Sequence, residues 1–232
     1  MTTSDSAENA PRKIPQLGRN ERRVLGVLVE KAKTTPENYP MSIAAIVSAS
    51  NQKTNRSPVM QLDEDDVQMA LDKLRALGAT LELQGSGRVS KFKHCAYEFL
   101  GVDAGELAIM TELLLRGPQT AGELRARAAR MHALPDLETV VAIIDELSRR
   151  GLIQALTPPG RGQTFAHTTY PPDEQRYLAA KVEKFATESD AEASDVSVAT
   201  RPPAHESRLA AMEARLEELQ TRLDELELRI TS

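Results

Sequence analysis

Six consecutive residues, Asn51-Gln52-Lys53-Thr54-Asn55-Arg56, carry the densest set of groups able to read a nucleic acid. Asparagine and glutamine amides pair with adenine edges, arginine with guanine, and lysine with a phosphate. The same residues also suit an ordered loop whose amides bond nearby backbone groups and cap the preceding helix. Both readings stand, with Asn51, Gln52, Lys53, Asn55 and Arg56 as the candidate contacts. A second basic set lies at two glycine-flexed turns: Arg88, Lys91 and Lys93 at the first, Arg161 at the second. Hairpin tips of this kind reach a phosphate backbone or a minor groove, or serve solubility alone. Arg125, Arg127 and Arg130 form a further stripe, expected to be a solvated helix face.

Little else in the chain could do chemistry. A single cysteine, Cys95, makes no internal disulfide, and four scattered histidines lack zinc-ligand spacing. There is no phosphate-binding loop, dinucleotide fingerprint, nucleophile elbow or His-Glu metal motif. Cys95 and His94 are neighbours in a predicted strand, where alternation sends them to opposite faces, so no Cys-His pair is expected. His94 and His167 are expected to be structural. The chain therefore reads as non-enzymatic, with no cofactor and no metal.

The elements that must position these residues follow from an internal repeat. Sliding the sequence against itself by 73 residues lays Asp63, Val67, Asp72, Leu74, Gly78, Leu83, Gly87, Arg88, Phe92 and His94 over identical residues, ten matches across positions 63–94 without a gap. Each copy has helical apolar spacing, Val67, Leu71 and Leu74 in one and Val140, Ile143, Ile144 and Leu147 in the other, opened by an Asp and closed by a Gly. A β-prone segment follows (80–83; 152–156), then a Gly-rich turn and a second predicted strand (91–99; 164–168). Upstream of each copy lie two more helices. The first pair is predicted over 20–33 and 103–116; the second pair opens at the caps Ser42 and Thr120.

Three helices and a two-stranded wing, twice, read as a mainly α chain with small β wings: two tandem winged-helix domains, 17–100 and 101–170. Residues 1–16 are expected to be disordered, 171–186 a short helix and 187–206 a flexible acidic linker. Over 207–231 a coiled-coil helix is expected, with Leu209, Leu216, Leu223 and Ile230 at a and Met212, Leu219 and Leu226 at d. Arginines at g (208, 215, 222, 229) and acids or Gln at e (213, 220, 227) favour a parallel homodimer.

Composition narrows the function. With 29 basic against 34 acidic residues the net charge is −5, the wrong sign for holding nucleic acid by bulk electrostatics, so phosphate contacts must be local. Aromatics at 3% and the absence of Trp leave too few rings for a base-stacking platform. No apolar run approaches a membrane span and the N-terminal residues lack a signal-type core, so a cytoplasmic protein without membrane contact is expected.

Several longer blocks are more specific: Thr35-Pro36-Glu37-Asn38-Tyr39-Pro40, Asn51 to Val59, Gly87 to Lys91, and Leu115 to Arg125. Over residues 17–170 they resemble the YceH family of bacterial proteins. The resemblance implies a tandem winged-helix fold and a bacterial cytoplasmic protein, and it brings no biochemical role.

Function then rests on two expectations. The first is a DNA-associated transcriptional regulator, touching duplex through the Asn51–Arg56 loop and the basic wings. The rival is a protein-interaction scaffold. Carboxylates at the start of both third helices (Asp63, Glu64, Asp65, Asp66; Asp136, Glu138) repel phosphates where a recognition helix would meet the major groove. They also stabilise the helix dipole, which needs no ligand.

Overall fold

Helix α1 (Arg19–Thr34), helix α2 (Ile43–Ser50) and helix α3 (Glu64–Ala76) precede an antiparallel hairpin, β1 (Thr80–Leu83) with β2 (Lys91–His94). After the short α4 (Ala96–Leu100) the order returns. Helix α5 (Ala104–Arg116), strand β3 (Gln119–Thr120), helix α6 (Ala121–Ala128) and helix α7 (Leu137–Arg149) lead to β4 (Ile153–Ala155) and β5 (Thr164–His167). The computed structural model describes residues 15–84 and 89–178. They form a mainly helical protein with small antiparallel sheets, consistent with a winged-helix-like fold.

The strand register repeats along with the sequence. Thr80 faces His94 in the first hairpin, and Ile153 faces His167 in the second. Each hairpin also gains a third partner that the sequence reading did not foresee: Met41 exchanges both backbone hydrogen bonds with Phe92, and Gln119 pairs with Phe165. Each of these segments runs straight into the cap of the next helix. Ser42 accepts from the Ala45 amide and Thr120 from the Glu123 amide. Asp63 and Asp136 cap α3 and α7 in the same way. Gly78 and Gly151 end those helices at φ 76° and 74°, a left-handed turn that glycine takes without steric cost.

One strand is shorter than expected. Instead of running to Phe99, β2 stops at His94, and Ala96–Leu100 is helical. Ala96 and Leu100, one turn apart, are both buried, and Gly101 closes the turn at φ 66°. In so short an apolar segment the helical spacing of two residues outweighs β propensity.

The largest departure concerns α1 and α5. The sequence pattern gives each one inward face, yet α1 is buried continuously from Glu21 to Glu30 and α5 from Gly105 to Leu115. Each packs against its own neighbouring helices on one side and against the other's equivalent on the second side. Gly26 permits the approach, since a Cβ there would lie 2.9 Å from Leu115 Cγ and Cδ2. The buried apolar residues consequently form one continuous cluster spanning both copies of the repeat. Leu74 and Leu147, matched in the repeat, are both fully buried. All described residues fall in one compact unit, with the expected boundary at residue 100 inside it.

Leu17 donates its amide to the Thr169 carbonyl at 2.8 Å, tying the segment before α1 to the one after β5. Residues 172–178 are helical, within the short helix expected there. Residues 1–14, Arg88, the expected acidic linker and the expected coiled coil, with Leu209, Met212, Leu216, Leu219, Leu223, Leu226 and Ile230, lie outside the described residues. Among the described residues, no helix is long and apolar enough to cross a membrane.

Candidate interaction surfaces

The Asn51–Arg56 segment does not present its polar groups as a set. Asn51, at the end of α2, bonds the backbone of Leu62 twice, its Nδ2 donating to the carbonyl and its Oδ1 accepting from the amide, each at 2.8 Å. Gln52 accepts from Arg56 at 3.2 Å. Asn55 takes φ 60°, one of the few side chains to tolerate that conformation, and its Oδ1 accepts from Arg116 on α5. Arg56 turns inward and is only 5% exposed. Its guanidinium grips both oxygens of Glu30 on α1 and donates through Nε to the Ala49 carbonyl at 3.1 Å. The ordered-loop reading thus accounts for Asn51, Gln52, Asn55 and Arg56. Lys53 is the exposed cation that remains.

Beneath this loop lies a charge cluster that the sequence reading missed. Glu30 and Glu112, on α1 and α5, have side chains at most 1% exposed. Arg56 serves Glu30, while Arg130, after α6, donates to Glu112 at 3.1 Å through Nε and also reaches Glu30. Arg130 was expected on a solvated face. The residue is indeed exposed, but its guanidinium turns to the two buried carboxylates, which need compensating charge; breaking such a pair leaves an ion in low dielectric. Burial pushes the Glu30 carboxyl up, but the hydrogen bonds and charges of Arg56 and Arg130 win and hold it below the ordinary range. Arg116 lies 3.3 Å from Glu112 without hydrogen-bond alignment. The rest of that arginine stripe is occupied as well, Arg127 by Gln119 and Glu123 and Arg125 by the Pro135 carbonyl.

Exposed surface of a different kind appears on the third helices and the first wing. The caps use Asp63, Asp66 and Asp136, leaving Glu64 and Asp65 on α3 and Glu138 and Asp145 on α7. The cations there are engaged: Lys73 with Glu21, Arg75 with Asp72 and Glu82, Arg149 with Glu146. Large apolar side chains stand among these charges. Met69 is 56% exposed and Leu77 45%. Leu137 and Val141, one turn apart on α7, are exposed as well. On the first wing the register sets Leu81 opposite Lys93 and Leu83 opposite Lys91, so one face alternates leucine and lysine, with the exposed Val89 leading into it. On the second wing Arg161 is exposed between Gly160 and Gly162, both at positive φ.

The two repeated histidines are structural in their contacts. His94 Nδ1 accepts from the Ala96 amide at 3.2 Å, and burial, helped by the Lys33 charge, pulls its pKa down to about 4. His167 bonds Thr169 at 2.9 Å, stacks on Tyr170 and is held neutral by burial. Cys95 caps α4 and is not a strand residue; burial pushes its thiol up, away from the reactive thiolate. Among the described residues no group of His, Cys, Asp and Glu is arranged to hold a metal ion.

A family model described as a protein of unknown function, DUF480, matches residues 17–161. The chain is 55% identical over 202 residues to a UPF0502 protein of Rhodopirellula baltica, the match covering 87% of this chain and 85% of that one. It is 53% identical over 135 residues to a UPF0502 protein of Pelobacter propionicus, covering 58% and 62%. With a UPF0502 protein of Geotalea daltonii the identity is 50% over 144 residues, covering 61% and 66%. Of these last two relatives the chain spans less than two thirds.

Proposed function

Because the chain belongs to the DUF480 (UPF0502) family, whose members share sequence and no assigned activity, we propose its role from its own surfaces: a non-enzymatic protein of two fused winged-helix modules that docks a protein partner. The observation that carries this reading is the alternating face of the first wing, Leu81, Leu83, Lys91 and Lys93, exposed on the side of the hairpin away from Glu82 and its partner Arg75 of α3. Leucines gain little from a phosphate backbone and much from burial in a protein interface, about 25 cal/mol per Å2 of apolar surface covered. Interleaved lysines suit a partner whose apolar patch is rimmed by carboxylates. The acids of α3 repel nucleic acid and tolerate such a partner's basic residues.

The experiment is a comparison of the wild type with a Leu81→Asp/Leu83→Asp variant as baits in a bacterial host of this family. A partner recovered stoichiometrically with the wild type, lost with the variant and rebinding when purified supports the reading. Equal recovery with both sinks it.

One observation favours the DNA-associated regulator as a second reading. Lys53, Lys91, Lys93 and Arg161 are without ion pairs among the described residues, leaving four cations for phosphates on loop and wings. Duplex binding at low salt, with a log–log salt slope that falls by about 0.9 for each cation replaced by Ala, is its test. No detectable affinity at low salt excludes it. A homodimer through the C-terminal heptads is compatible with either reading, and sedimentation of the full chain against a chain ending at Ser207 tests it.

A further inference from the structure

Arg19, Arg22 and Arg23 occupy the first turn and a half of α1, and a cleft of about 470 Å3 opens there, bounded by Arg116 at the end of α5 and by Tyr170 after β5. That volume lies in the range of small-molecule sites, roughly 300–1,000 Å3. Its lining sets four guanidinium groups beside one carboxylate, Glu174.

Two of the four are matched. Arg22 pairs with Glu174, and Arg116 touches Glu112. Arg23 is 2% exposed and meets no carboxylate: it donates to the Ser50 and Pro58 carbonyls, and its Nε has no hydrogen-bond partner. Arg19 is exposed and has no ion pair among the described residues. Burial first, then the like charges of Arg56 and Arg19, bring the Arg23 pKa down to about 10 against the weaker attraction of Glu30, so it stays charged at neutral pH at an electrostatic cost. A buried guanidinium bonded only to neutral acceptors is costly unless an anion nearby offsets its charge.

The lining also holds apolar and aromatic residues, Met60, Leu113, Leu114, Pro118 and Tyr170 among them. The Arg22 guanidinium lies 4.6 Å from the Tyr170 ring centroid, and His167 stacks on that ring at 3.8 Å between centroids. We infer that the cleft binds a small organic phosphate monoester, its phosphate between Arg19 and Arg23 and its organic portion along Tyr170. Two guanidinium groups without an ion pair among the described residues match a dianion, whereas a monocarboxylate leaves one of them unmet. The site is separate from the wing surface and stands whether or not a protein docks there.

Calorimetric titration of the full chain at low salt with adenosine 5′-monophosphate, inorganic phosphate and adenosine tests it. Saturable binding of the monophosphate, competition by inorganic phosphate, and affinity for adenosine at least about tenfold weaker are expected, one lost charge-assisted contact being worth roughly that factor. Arg19→Gln, at an exposed position, should weaken the monophosphate about tenfold. Absence of saturable binding for both phosphates up to about 10 mM, or equal affinity for adenosine, overturns the assignment. So does an unchanged affinity in a folded Arg19→Gln variant. If that variant's melting temperature falls, the phosphate–adenosine comparison on the unaltered chain still decides.

Discussion

Glu30 and Arg130, 100 residues apart, meet in an ion pair whose carboxylate is buried, and through it the loop after α6 is fastened to the last turns of α1. Glu30 also holds Arg56, so its removal strands two guanidinium groups. Glu30→Ala should cost about 3–5 kcal/mol, measured by urea unfolding. Arg56→Ala should cost a similar amount and should add much less than independently when combined with Glu30→Ala, because both remove one contact.

Acid should weaken the fold in two successive windows. His94 has its folded pKa lowered to about 4, below the unfolded value of 6.5, so the unfolded chain binds the proton first and stability falls as pH drops from 6.5 towards 4. Glu30 has a folded pKa below its ordinary 4.5; its contribution is present above 4.5 and is lost as pH falls through the lower folded value. Urea midpoints against pH should show both slopes. His167, also held neutral by burial, adds to the first slope, so His94→Asn, which keeps an acceptor for the Ala96 amide, should reduce the first slope and leave the second.

Gly26→Ala sets two effects against each other. Alanine in a helix interior gains about 0.5–1 kcal/mol over glycine, but here its Cβ would sit 2.9 Å from two carbons of the fully buried Leu115. Overpacking of that kind costs about 1–3 kcal/mol, so the net change should be destabilising. A raised melting temperature would refute the close approach of α1 and α5.

Leu74→Ala and Leu147→Ala should each cost about 2–5 kcal/mol, since both side chains are fully buried at matched positions of the two units. In urea, similar losses at the two positions are expected; a negligible effect at either would show that the two sites are not equivalent.

Met69→Arg and Val141→Arg should leave stability within about 0.5 kcal/mol, these side chains being exposed. Thermal unfolding checks the fold, and loss of partner recovery with a normal melting temperature would mark either helix face as a docking surface.

The repeated order of elements was legible because Asp63 and Asp136 open, and Gly78 and Gly151 close, helices of the same apolar spacing. Local chemistry suffices there. The short strand at Gln119–Thr120 and the Met41–Phe92 bridge were not legible, since two residues or one give no periodicity. The polar loop looked like a recognition surface because residue type reports hydrogen-bonding capacity and not direction, and Arg56 points inward only because Glu30 waits there. A signal was nonetheless present. The runs Val27-Leu28-Val29 and Leu113-Leu114-Leu115 put apolar residues on more than one face of α1 and α5, which one-sided helices do not do. Glu30 and Glu112, each four residues before the end of its helix, mark where the two double-faced helices meet.

That meeting of equivalent helices has the logic of a symmetric dimer closed within one chain, each half supplying its first helix to the other. Neither half then owns a complete interior. Fragments 15–100 and 101–178, expressed apart, should each expose an apolar helix and aggregate or pair with themselves, whereas mixing them should restore a one-to-one heterodimer, since the break falls at the exposed left-handed turn of Gly101.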